Sequence, residues 1–279
     1  MGDAVQPARA GTETPDVLDD YQARIGVAFA TMADRLRAAE IETVVALVAD
    51  HGSIFDRSNT PQLHIQCTDD VWSNPALPAL GEEPVRITLR CNADLATFLA
   101  EELVFRGFDI SESRGAFVPL GDPERGLDPS LAQLVEKLTS GRDQPQLVII
   151  HVNCHTEPAI SGERMAAFGT ALAAALALDP TRTALITSGG MTGDPYGYMA
   201  GWIDDVLDEW VLSRLRTGRS SQIGSIFKMD SLTLRGSTRE LRLWCAIGTA
   251  MEETQTSLRI VDYLPFHSSA VGTAFAVWE

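Results

Sequence analysis

Thr43-Val44-Val45-Ala46-Leu47-Val48-Ala49 runs directly into Asp50-His51-Gly52. Seven uncharged residues, rich in β-branched side chains, read as a strand covered on both faces, as in a parallel sheet. The three residues after it are polar or conformationally free. In an open α/β sheet the crevice beyond the carboxyl ends of the strands takes ligands, so His51 stands where functional side chains collect. The same pattern recurs at Gln146 to Val152, followed by Asn153-Cys154-His155, and at Thr183 to Thr187, followed by Ser188-Gly189-Gly190.

Working outward, Val17 to Glu40 carries Ile25, Phe29, Met32 and Leu36 on one helical face. Leu63 to Gln66 and Val85 to Leu89 are strand-like. Asn92 predicts an N-cap for a helix ending at Phe105, with Gly107 as its stop. Gly121 to Pro129 reads as a turn-rich loop before a helix over Ser130 to Leu138. Ser161 opens an Ala-rich helix to Leu178. Further helices are expected over Gly201 to Leu215 and Ser237 to Met251, and two last strands over Leu258 to Leu264 and Ala270 to Trp278. Strands alternate with helices throughout, which predicts one α/β domain with a central mixed sheet flanked by helices over 17–279, behind a flexible arm over 1–16.

Composition excludes several functions. The 279 residues are 45% hydrophobic and 22% charged, with a formal net charge of −16. A chain this acidic lacks the basic face that phosphate backbones and anionic membranes require. It has no apolar run long enough to span a bilayer and no apolar leader at its start, so a cytoplasmic location is expected. The four cysteines occur singly, which argues against a structural zinc site and for buried thiols.

Four segments together resemble one family. They are Asp50-His51-Gly52, Ser188-Gly189-Gly190-Met191-Thr192, Glu240-Leu241-Arg242-Leu243-Trp244, and Pro265-Phe266-His267-Ser268-Ser269-Ala270-Val271-Gly272. They are similar to segments of the class III extradiol ring-cleavage dioxygenases, typified by the β subunit of protocatechuate 4,5-dioxygenase. The resemblance implies that family's α/β fold and a ferrous ion held by two histidines and a glutamate, an arrangement that leaves coordination positions open. His51 matches the second iron histidine. Glu240 matches the iron glutamate, four residues before a Trp. His267 and Ser268 occupy positions that help to hold a substrate carboxylate.

Three expected histidines are missing. None precedes His51, where Ala4-Val5-Gln6-Pro7-Ala8 stands in place of the first ligand. Gly193 replaces the family's acid–base histidine. Arg114 replaces a second pocket histidine and suits a carboxylate partner instead. Ser237-Thr238-Arg239-Glu240 also fits a capping box, a structural use for Glu240.

Three functions are compatible with this pattern. The first is a supporting subunit without catalytic iron, in a homo-oligomer or beside a complete dioxygenase subunit, with Fe(II) bound weakly or not at all. Trp202 and Trp210, on one face of a helix, are candidate contacts for such an assembly. The second is an active ring-cleavage enzyme of a catechol-type aromatic, its site rebuilt with His155, His267 or a neighbouring subunit's histidine. The third is a non-redox enzyme that reuses the pocket for a small aromatic or anionic ligand.

Overall fold

The computed structural model describes residues 9, 11–52, 54–55, 58–73, 87–114, 128–139, 144–195, 197, 199–254 and 256–279. The chain is an α/β domain whose internal contacts divide it into two compact units. One comprises Met1–Met32, Ser161–Thr170 and Gly189–Glu279, and the other Ala33–Ile160 and Ala171–Ser188.

The second unit holds the sheet. β1 (Thr43–Ala49), β2 (Leu63–Cys67), β5 (Ser111–Arg114), β6 (Gln146–Val152) and β7 (Thr183–Ser188) lie in the order β5-β2-β6-β1-β7. β1 pairs in parallel with β6 and β7. β2 runs antiparallel to β6 and parallel to β5. The sheet is therefore mixed, and all seven residues of β1 are buried, as the apolar run predicts. β3 (Asp70–Ser73) and β4 (Ile87–Arg90) form a separate antiparallel pair.

Helices cover both faces of the sheet. α2 (Ala93–Phe105) lies over the face that carries Cys67, to which Thr97 hydrogen-bonds. α3 (Pro129–Thr139) packs Leu131 and Val135 against Val44, Ala46, Leu147 and Ile149 on the other. The predicted caps hold. Asn92 Oδ1 accepts from the Leu95 amide at 3.0 Å, and Gly107 ends α2 at φ 87°. Ser161 Oγ accepts from the Arg164 amide at the start of α4 (Gly162–Leu176).

In the first unit, α1 (Pro15–Ala38) sets Phe29 edge-on to Phe275, with ring centroids 5.5 Å apart. α5 (Asp205–Arg216) starts later than expected, because Asp204 caps it by accepting from the Leu207 amide at 3.0 Å. Trp202 precedes that cap, so Trp202 and Trp210 do not share a helical face. α6 (Leu241–Glu252) is buried from Leu241 to Ala250, and Leu241, Trp244 and Cys245 join its core. The last strands, β8 (Leu258–Phe266) and β9 (Val271–Trp278), form a separate antiparallel pair instead of extending the central sheet.

All four cysteines are buried thiols. No described helix is long and apolar enough to cross a membrane. Ala4 to Ala8, Val85, Gly115 to Leu120 and most of the loop expected over Gly121 to Pro129 lie outside the described residues.

Candidate active site

The carboxyl ends of β1 and β6 carry two histidines. After β1 the chain turns on Asp50, whose carboxylate accepts from the amides of Gly52, Ile54 and Phe55 at 3.1 to 3.3 Å. That turn presents His51. Its Nδ1 lies 3.2 Å from Asp128 Oδ2, just before α3. A carboxylate on Nδ1 keeps the proton there and leaves Nε2 with its lone pair, the arrangement that orients metal-binding imidazoles. Burial would raise the Asp128 carboxyl. Hydrogen bonds from His51 and Ser130 outweigh burial and hold it well below the usual carboxylate range.

His155 reaches the same end through a turn built on Asn153. Its Oδ1 accepts from the Thr156 amide at 2.9 Å, and its Nδ2 donates to the Thr156 carbonyl at 2.8 Å. The His155 and His51 rings stand 5.0 Å apart, centroid to centroid. A local turn thus sets side by side two imidazoles that are 104 positions apart in sequence (155 − 51).

Beneath them lies a second, buried pair of histidines. His64 and His151 face each other across β2 and β6, with ring centroids 5.5 Å apart. His64 Nε2 is 2.8 Å from Ser113 Oγ. Neither ring nitrogen of His151 has a hydrogen-bond partner among the described residues. Burial lowers His64 to about 4, and burial together with the His64 neighbour lowers His151 to about 3, so both are neutral. His at a strand position within an apolar run is the only sequence signal for this pair.

Arg114 stands apart from this cluster. β2 is antiparallel to β6, so Cys67, level with Arg114, lies at the opposite end of the strands from His51. The Arg114 guanidinium is exposed and donates to Glu112 Oε2 at 2.7 Å.

The first unit carries Glu240. Glu240 is 6% exposed and its Oε2 accepts from the Gly190 amide at 3.0 Å. One turn on, Trp244 Nε1 donates to the Gly189 carbonyl at 3.1 Å. The Glu-x-x-x-Trp spacing thus clamps the Gly-Gly passage from two successive turns. A Cβ on Gly189 would press on Glu240 Cβ at 3.2 Å and on Leu243 Cδ1 at 3.1 Å, closer than side chains ordinarily approach. The capping-box expectation is not met. Gly236–Glu240 is a 3-10 turn without a side-chain cap, and α6 begins at Leu241, so the Glu240 carboxylate turns to Gly190 instead.

At Gly193 the backbone is closed as well as bare. Its amide donates to Thr238 Oγ1 at 3.0 Å, and a Cβ there would lie 2.8 Å from Val271 Cα. An imidazole cannot be added without moving β9. Gly193→Ala is expected to cost 1 to 3 kcal/mol of stability, the usual order for overpacking against backbone. Urea unfolding of the variant beside the wild type measures it.

Gly193 pairs with Val271, the Met191 amide donates to the Gly272 carbonyl at 2.9 Å, and the Gly272 amide donates to the Thr192 carbonyl at 2.8 Å. The start of β9 is therefore stitched to the Gly-Gly passage. Just before it comes the His267–Ser269 turn, closed by Ala270 at φ 56°. Its donors are engaged by Glu13: the His267 and Ser268 amides donate to that carboxylate at 2.7 and 2.6 Å, and the Ser268 hydroxyl adds a third bond. Sequence reading missed Glu13, because a contact across 254 positions leaves no local signal.

Comparison with known proteins bears on the same features. The family described as the catalytic LigB subunit of aromatic ring-opening dioxygenase matches residues 7–276, and the chain belongs to that family. Curated proteins yield no match. Among solved structures, the uncharacterized protein JW3007 from Escherichia coli K12 is similar in fold, with a TM-score of 0.55 and 11% identity over 91% of each chain.

Proposed function

We propose that this chain is a ferrous-iron-dependent ring-opening dioxygenase of a catechol-type aromatic, with a rebuilt ligand set of His51, His155 and Glu240. The observation that carries the reading is the His51–His155 pair, whose second histidine supplies what the chain lacks before His51. Two imidazoles and one carboxylate are the donor types that ferrous iron takes in such enzymes. Bound by them, the ion supplies open coordination positions for a catechol and dioxygen.

The protein's own groups do the rest. Asp128 fixes the His51 tautomer, and the Gly190 amide fixes one oxygen of Glu240. The donor set therefore fits the metal that the family implies. Asp128→Asn is expected to lower iron affinity 10- to 100-fold, the usual effect of losing an outer-sphere carboxylate, with the fold retained. The decisive test is metal analysis and oxygen uptake with catechol on protein purified anaerobically. About one iron per chain with catechol-dependent uptake supports the reading, whereas a chain that neither retains iron nor consumes oxygen refutes it.

A second reading is favoured by the closed backbone at Gly193. Without an imidazole there the chain lacks a proton shuttle worth roughly 10² to 10⁴ in rate. In that case it supports a complete dioxygenase subunit in a hetero-oligomer. Co-expression with such a subunit, followed by size-exclusion chromatography with light scattering, tests it: two separate monodisperse species refute the pairing.

A further inference from the structure

We infer that Glu13 is a specificity-determining residue that keeps carboxylate-bearing ligands off the His267–Ser268 turn. The inference rests on the reading that this chain takes a small aromatic ligand.

Two backbone amides and one hydroxyl converge on a single carboxylate, that of Glu13. Three donors on one carboxylate make a site selective for planar anions, because each bond to the charged acceptor is stronger than its neutral counterpart. The turn is held by Ala270 in the left-handed region and by the Ala270 amide, which donates to the His267 carbonyl at 3.1 Å. His267 Nδ1 is also shut off from solvent with no hydrogen-bond partner among the described residues, a polar atom available to a ligand on the same turn.

Position gives the site its meaning. Val271 and Gly272 follow the turn immediately and are stitched to Gly193, Thr192 and Met191, the residues that follow the Gly190 whose amide holds Glu240. A ligand carboxylate on this turn would sit beside the loop whose Gly190 amide holds Glu240, the carboxylate of the proposed ligand set. Glu13 occupies those donors from within the chain. Its effective concentration is that of a tethered group, so a free carboxylate competes poorly against it. A ring without a carboxylate at that position meets no such competition.

The test uses benzoate as the probe and the full chain as the protein. Backbone amide resonances of His267 and Ser268 are followed by NMR during titration of the wild type and of Glu13→Ala. The expected result is a saturable shift in Glu13→Ala at concentrations at least tenfold lower than in the wild type. Ser268→Ala in the Glu13→Ala background should abolish it. Equal responses in the two proteins, or none in a folded Glu13→Ala, overturn the inference. Should Glu13→Ala not fold, Glu13→Gln, which keeps one acceptor and loses the charge, replaces it with the same criteria. Iron content measured on the same samples reports separately on the dioxygenase reading: benzoate binding without iron retains the turn as a carboxylate site and rejects only the metal.

Discussion

His155→Ala is expected to abolish stoichiometric iron binding, lowering affinity by on the order of 10²-fold or more, while leaving the fold and the unfolding midpoint close to those of the wild type. A ligand lost from a three-donor site removes a bond and opens the ion to water, a larger penalty than loss of an orienting carboxylate. The structural cost is small because His155 lies on a turn whose geometry is set by Asn153. Metal analysis after anaerobic loading, with circular dichroism on the same sample, checks both halves. Iron retained at wild-type stoichiometry would remove His155 from the ligand set and return the chain to two candidate ligands, His51 and Glu240.

The second large effect is acid sensitivity. His64 and His151 are neutral in the fold, with values near 4 and 3 against an ordinary 6.5. Between those values and 6.5 the unfolded chain binds more protons than the folded one. Stability is therefore complete above about pH 6.5 and falls as pH drops toward 4. For His64 alone the loss by pH 4 is about 3 kcal/mol, from 1.36 kcal/mol per pKa unit. Asp128 adds to the decline only below its unfolded value of 3.8, so it leaves that window undisturbed. His151→Leu should remove about 3 kcal/mol of the difference between pH 7 and pH 4. It should also raise stability at pH 7, because a buried ring without partners among the described residues is replaced by an apolar side chain. Urea midpoints at the two pH values decide it, and an unchanged pH dependence would mean that the pair does not titrate on unfolding.

The sequence made the sheet legible where local patterns suffice. β1, β6 and β7 were visible as uncharged β-branched runs, and Asn92 and Ser161 as caps, because each signal lies within a few residues of its effect. Glu240 and Trp244 were legible through family resemblance, which also placed the chain in the right class. What could not be read depends on contacts between distant segments. The capping-box pattern at Ser237 lost to a 3-10 turn that sends Glu240 to Gly190, 50 positions away. Trp202 left the predicted helix because Asp204 offers a better cap. The pairing of His155 with His51 depends on a turn whose shape comes from Asn153, and the burial of His64 beside His151 on an antiparallel register between β2 and β6. Arg114 reads as a pocket residue only until that same register carries the end of β5 to the other end of the strands.

The helix that follows Glu240 is covered on every side from Leu241 to Ala250. A rod so enclosed cannot slide or rotate without breaking close packing, and densely packed interiors resist such movement. The carboxylate at its head is therefore a stationary post. His51 and His155 hang from connecting turns, which yield more readily than a packed helix. For the proposed ligand set, a difference in ionic radius between one divalent metal and another would then be taken up at the two imidazoles, and the turns at Asp50 and Asn153 would set the choice of ion.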